Sequence, residues 1–116
     1  MAITTASHSG RNSFTVNATT ADLSGCETLL AAVADKRIVL DSIAINAGAS
    51  ITVTVGEGET SGAVTTALLG PVSLIEGLTW SKDFPDGLYL TAATALTADA
   101  SGAGAVCITA TCRVVD

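Results

Sequence analysis

The sequence predicts an all-β protein: an antiparallel, jelly-roll-like β-sandwich of about eight short strands, preceded by an extended N-terminal arm. Three observations carry this prediction. Residues 105–115 alternate between apolar and polar side chains with a clean period of two. Further short alternating segments are separated by turn residues at roughly 8- to 12-residue intervals, which is typical of sandwiches and barrels. No repeat of the length found in solenoids or propellers is visible in the chain.

The last segment shows the strand pattern best. One face holds the apolar set Val106, Ile108, Ala110, Cys112 and Val114, and the other holds Cys107, Thr109, Thr111 and Arg113. Successive side chains of a strand point to opposite faces of its sheet, so this pattern predicts a half-buried strand. A single strand is not stable alone, and we expect other segments to pair beside it.

The sequence predicts two parts, an N-terminal arm and a sandwich domain. Residues 1–17 are predicted to form an arm with a short strand at 13–17, and residues 18–116 to form the sandwich. Residues 18–36 have two interpretations. Ser24 and Glu27 match a capping box that would start a two-turn helix, and a strand over residues 28–33 fits equally well.

Within residues 37–46 the alternation of apolar and polar side chains changes phase. Ile38 and Leu40 share one parity, whereas Ile43 and Ile45 share the other. A β-bulge at Asp41 and Ser42 would bring all four onto the core side. After a turn at 46–50, residues 51–55 alternate cleanly, and the two segments together predict a β-hairpin.

The second half predicts shorter elements. Residues 56–62 are expected to form a polar loop, and strands are expected at 64–69 and 72–75, split by Gly70 and Pro71. Another strand at 78–81 carries Trp80. Pro85-Asp86-Gly87 predicts a turn. Strands at 88–91 and around Leu96 follow, and a loop of small residues at 98–104 leads into the last strand.

Composition favours one small domain that associates with copies of itself. The chain has 116 residues, 48% of them hydrophobic, but twenty are alanine and only 3% are aromatic. Each buried position therefore removes little apolar surface from water. Burial between subunits would add to a modest core, so we expect a symmetric oligomer.

Charge and cysteine content indicate which partners and compartments to expect. The net charge is −6 and the five basic residues are scattered, so nucleic acid is not an expected partner. No run approaches the roughly 20 apolar residues that span a bilayer, and the first ten residues do not resemble a signal peptide, so we expect synthesis in a cytoplasm and no membrane contact. Three cysteines without an export signal favour free thiols.

From residue 34 onward the chain resembles a group of small bacteriophage structural proteins with a jelly-roll fold. The resemblance lies in residues 35–43 (DKRIVLDSI), 51–55 (ITVTV), 70–74 (GPVSL), 84–93 (FPDGLYLTAA) and 104–106 (GAV). It covers about two-thirds of the chain and consists of strands and turns without a catalytic signature. It departs from the group at Ala95, where a nearby glycine is usual, and in the two cysteines of the final strand. The resemblance implies trimers on the capsid surface or in fibre and tail assemblies.

Few residues could act in catalysis or bind a metal. The single histidine, His8, lies in the predicted arm; a triad would require it to pair with a serine that the sequence does not identify. Cys107 and Cys112 are five positions apart and are expected on opposite faces of one strand. Acidic side chains on several loops would bind calcium only if those loops converge; they are Glu57, Glu59, Asp83, Asp86 and Asp99. No catalytic residue, cofactor site or metal site is predicted, and we expect no enzymatic activity.

The predicted contacts with partners are aromatic and basic residues. Trp80, Phe84 and Tyr89 cluster around a turn, where they would either stack on a sugar or close the core or a subunit contact. His8, Arg11 and Phe14 are candidate assembly contacts in the arm. The sequence thus predicts a structural virion protein, a homotrimeric decoration (cement) protein that binds the major capsid protein or another virion protein. The alternative is a tail or fibre module that binds a receptor or carbohydrate.

Overall fold

The computed structural model describes residues 2–7, 13–20, 25–102 and 104–115, and within these ranges the chain is all-β. Nine strands follow one another along the sequence, and no helix interrupts them in the described ranges. They are β1 (Ala2–Ser7), β2 (Ser13–Thr20), β3 (Glu27–Leu30), β4 (Arg37–Ala47), β5 (Ile51–Thr60), β6 (Ala63–Leu74), β7 (Thr79–Tyr89), β8 (Leu96–Ala100) and β9 (Val106–Val115). No helix in these ranges is long and apolar enough to cross a membrane.

The strands form two antiparallel sheets that pack as a sandwich. Sheet A has five strands in the order β1-β2-β9-β4-β7, and sheet B has four in the order β3-β8-β5-β6. Every strand pair is antiparallel. The predicted fold class, an antiparallel β-sandwich, is therefore confirmed. A jelly roll has eight strands in two sheets. That β2 to β9, divided between sheets A and B, form a jelly roll remains our interpretation.

Side chains from both inner faces fill the space between the sheets. The largest fully buried core side chains come from six of the strands and from the residue after β7; they are Leu29, Ile38, Leu40, Ile43, Ile45, Leu90, Leu96, Ile108, Val16 and Val53. In β9 the buried and non-buried positions alternate without a break from Val106 to Val115. The alternation predicted for this strand is confirmed, and β9 lies at the centre of sheet A, between β2 and β4.

The predicted bulge in β4 is present. The pairing of β4 with both neighbours shifts register between Leu40 and Ser42, so that Asp41 is the additional residue. Ile38 and Leu40 before the shift and Ile43 and Ile45 after it are all at most 2% exposed. The bulge at this additional residue thus keeps four large side chains on the core side, although the alternation in the sequence changes phase there.

The predicted hairpin between residues 37–46 and 51–55 is wrong. β4 lies in sheet A, where β7 and β9 occupy both of its edges, whereas β5 lies in sheet B between β8 and β6. The chain crosses from one sheet to the other at residues 48–50. Both strands have an apolar face, and apolar faces are covered when they pack across the sandwich rather than side by side.

The predicted polar loop at 56–62 is also wrong, because β5 continues to Thr60 and only Ser61 and Gly62 form the turn into β6. This hairpin bends over the outer face of sheet B. The amide of Val64 donates a hydrogen bond to Asp99 Oδ2 on β8 at 2.9 Å. Gly56 is buried under the bend, where a Cβ atom would collide with the backbone of Thr66. Glycine is therefore required for this close approach of two backbones.

Two predicted breaks lie inside continuous strands. The strands expected at 64–69 and 72–75 are one strand, β6, in which Gly70 and Pro71 form a bulge opposite β5. The turn expected at residues 85–87 lies within β7, whose pairing with β4 resumes at Leu88. In both places the turn residues form a bulge within one strand. The residues before and after each bulge pair with the same neighbouring strand.

The remaining predictions concern the first third of the chain. Glu27–Leu30 forms a strand, β3, so the helical interpretation of residues 18–36 is wrong for the described part of that range. The strand predicted at 13–17 belongs to the longer β2, which crosses the predicted boundary between arm and sandwich. β1 pairs with β2 in an unbroken register.

Candidate functional site

Trp80 and Phe84 lie at the open edge of the sandwich, on β7. Trp80 pairs with the buried Ile45, so its side chain is on the inner side of sheet A. Both aromatic side chains are partly buried and pack against the core. The ammonium group of Lys82 lies 5.8 Å from the centre of the Phe84 ring, which is within cation–π range. These residues close the edge between the two sheets.

Tyr89 lies on the opposite face of β7. It pairs with Val39, which points to the outer side of sheet A, and it is 48% exposed. The predicted cluster of Trp80, Phe84 and Tyr89 is therefore divided between the inner and outer sides of one strand. The three rings do not form a single concave surface, because the strand and its bulge separate them.

An ion pair borders Tyr89 on the outer face. Arg113 Nε donates a hydrogen bond to Asp41 Oδ2 at 2.8 Å, and both side chains keep about a third of their surface exposed (37% and 28%). The hydrogen bond and charge of Asp41, followed by Tyr89, raise the pKa of Arg113. The β7 bulge folds over this face at Gly87, beside Val39 and Arg113. Val39 is completely buried although it points away from the core.

Three loops at one end of the sandwich form a surface that the sequence did not reveal. We call it the neutral end; it comprises residues 48–50, 75–78, 101–102 and 104–105. Ile75 is 66% exposed and Leu78 is 42% exposed, the two large apolar side chains that this end presents to solvent. Among these described positions, Glu76 is the single charged residue. A shallow groove of about 270 Å³ adjoins it, lined by Ser50, Ile51, Thr52, Ser73, Leu74 and Ser101.

Backbone hydrogen bonds hold these loops in fixed positions. The amide of Gly48 donates to the carbonyl of Ala105 at 2.7 Å, and the amide of Gly77 donates to the carbonyl of Ala47 at 2.8 Å. Ser101 exchanges two hydrogen bonds with Thr52, at 2.9 and 3.0 Å. A surface that is already ordered loses little conformational entropy when a partner binds. The sequence predicts Ile75 and Leu78 in strands, but β6 ends at Leu74 and β7 begins at Thr79, so both residues lie in the loop around Gly77. Gly77 is the sequence signal for that turn.

The opposite end is held by a buried carboxylate. Glu57 is 9% exposed and accepts two hydrogen bonds from Thr91, from the amide at 2.6 Å and from the hydroxyl at 2.9 Å. Asp99 is occupied by the amide of Val64. Within the described ranges, no three acidic, histidine or cysteine side chains come close enough to hold a metal ion.

The three cysteines are free thiols in different environments. Cys112 is buried in the core, and burial followed by the charge of Asp41 raises its pKa to about 12. Burial also raises the pKa of Cys26, assisted by the charges of Glu59 and Asp99. Cys107 lies on the outer face of β9, the face opposite to Cys112, as the five-residue spacing predicts.

The predicted contacts in the arm are only partly described. His8 and Arg11 lie outside the described residues. Phe14 pairs through its backbone with Cys112, and its side chain is outside the described set. No protein-family model matches the chain, and no curated protein matches it either. The geometry of the sandwich and the sequence therefore carry the functional argument.

Proposed function

We propose that this chain is a structural protein of a bacteriophage virion, a homotrimeric decoration protein that binds the outer surface of the capsid and stabilises it. The observation that carries the proposal is the neutral end. A protein with a net charge of −6 presents there a rigid, almost uncharged surface with two exposed apolar side chains. Such a surface suits attachment to another protein.

The rest of the sandwich is consistent with a role in attachment. The core is filled by side chains from both sheets, and Ile75, Leu78 and Tyr89 are exposed on the outside of the molecule. The strand order and the resemblance to phage jelly-roll proteins support the same proposal. The partner is the major capsid protein or another virion protein, and the location is the virion.

The test uses purified chain and assembled shells of the phage that encodes it. We expect stoichiometric binding, and we expect decorated shells to survive heat or osmotic shock better than bare ones. Ile75→Lys should weaken binding at least tenfold, since it places a charge in the apolar contact. Ala92→Lys is the matched control, because Ala92 is exposed at the other end of the sandwich. Failure of the wild-type protein to bind shells would contradict the proposal.

One observation favours the alternative, a receptor- or carbohydrate-binding module. Tyr89 is exposed beside the ion pair of Asp41 and Arg113, and an aromatic ring next to charged hydrogen-bonding groups suits a sugar. Tyr89→Ala should then abolish binding in a glycan screen, whereas Trp80→Ala should act mainly through stability. Unchanged glycan binding in Tyr89→Ala would eliminate this face.

A further inference from the structure

Two sheets of this kind have four edge strands, and three of them are poorly suited to pairing with another chain. β3 has only four residues and a register shift after Thr28. β6 is interrupted by the bulge at Gly70 and Pro71. β7 carries Lys82, Asp83 and a bulge of four residues. Short length, proline, charge and bulges are the features by which proteins prevent edge-to-edge association.

The fourth edge, β1, has none of these features. Its six residues, Ala2–Ser7, pair one to one with β2 without a register shift. Their sequence, AITTAS, contains no charge, proline or glycine. β2 uses one side of β1, and among the described residues no other strand pairs with its second side. A regular, uncharged edge of this length is a template for a further strand.

The position of β1 adds a second, independent argument. Sheet A has five strands and sheet B has four, and sheet B ends at β3, the strand in contact with β2. β1 therefore extends one strand beyond the sheet that covers its neighbours. An end strand with one described neighbour gains a second set of backbone hydrogen bonds if another chain continues the sheet.

We propose that the free edge of β1 pairs with β1 of a second copy of this chain, antiparallel and about a two-fold axis, so that two five-stranded sheets become one. The segment is self-complementary, as a two-fold contact requires. Because Ala2–Ser7 is uncharged, the pairing places no like charges opposite each other, although each copy carries −6. Under the proposed function this contact would join neighbouring trimers on a shell; the pairing itself does not depend on that function.

The test is the molar mass of the purified full chain by light scattering over a concentration series. We expect the molar mass of the wild-type particle to double as the protein concentration rises, and to reach an even number of chains per particle. Thr5→Lys, which adds a charge to β1, should prevent this rise. Ala67→Lys adds the same charge to the exposed position 67 of another edge strand, β6, and should leave the rise intact. Melting temperatures show whether each variant folds.

Hydrogen exchange on the wild-type chain provides a second measurement that needs no variant. Amides of residues 2–7 should exchange several-fold more slowly at high protein concentration, whereas those of β6 should not change. A mass of one or three chains at every concentration, or an exchange rate in β1 independent of concentration, overturns the edge pairing and leaves the decoration role standing. A chain that doubles its mass but does not bind shells contradicts only the decoration role.

Discussion

Glu57 on β5 and Thr91, which follows β7, are joined by two hydrogen bonds to one carboxylate, at 2.6 and 2.9 Å. The pair connects sheet B to the loop that leaves sheet A. A carboxylate that is removed from water depends on such donors, because an unsatisfied buried charge is costly. This contact therefore holds the two sheets together at the end opposite to the neutral end.

We expect Thr91→Val to lower the free energy of unfolding by about 1 kcal/mol, since it removes the hydroxyl donor and keeps the shape of the side chain. Urea denaturation measures this change. Thr66→Val is the control, because Thr66 is exposed on β6. Equal stability of the two valine variants would show that the hydroxyl of Thr91 contributes nothing.

The thiol of Cys112 should make stability depend on pH in the alkaline range. Its pKa is raised from 9.0 to about 12 in the folded chain, so the unfolded chain loses this proton first. Its contribution is complete below pH 9 and is lost as the pH rises from about 9 to about 12. At pH 10 the loss should be roughly 1.4 kcal/mol relative to neutral pH. Cys112→Val should flatten this part of the pH profile in urea denaturation; parallel profiles would contradict the shift.

Gly87→Ala tests the excursion of β7 over the outer face. Gly87 has φ +77°, and a Cβ there would lie 2.5 Å from Val39 Cγ1 and 3.0 Å from Arg113 Nη2. Gly62 has nearly the same φ, +79°, with no heavy atom within 4 Å of such a Cβ. Both alanine variants bear the cost of a left-handed backbone, about 1 to 3 kcal/mol. Gly87→Ala should be the less stable in thermal unfolding, and equal melting temperatures would show that the bulge moves freely away.

Deletion of Asp41 should leave the chain able to fold, as should Asp41→Ala. Without the bulge residue, Leu40, Ser42 and Ile43 would pair with Cys112, Thr111 and Ala110 in a regular strand. Ile43 and Ile45 would then still face inward, because the deletion also removes the change of phase. The substitution keeps the number of residues and removes only the exposed ion pair with Arg113. Soluble yield and the near-ultraviolet circular dichroism of Trp80 measure the outcome. An insoluble deletion variant, or one with a non-native spectrum, would contradict this expectation and show that the bulge itself is required.

Local pattern predicted much of the fold because the signals lie within single strands. Alternation placed the inward side chains of β9, and the change of phase at Asp41 placed a bulge that the pairing confirms. The candidate surface was less predictable. Ile75 and Leu78 belong to segments whose sequence predicts strands. Their exposure depends on the hydrogen bond from the amide of Gly77 to the carbonyl of Ala47, thirty positions earlier in the chain.

The sequence by itself determined the class of structure: which segments are extended, which side chains face inward, and where β4 forms a bulge. Only the tertiary structure decided which strands are neighbours, that β4 and β5 lie in different sheets, and that Trp80 and Tyr89 lie on opposite sides of β7. The physical reason is that alternation records whether a position avoids water. It does not record which other strand covers that position, since any apolar face of suitable length can do so.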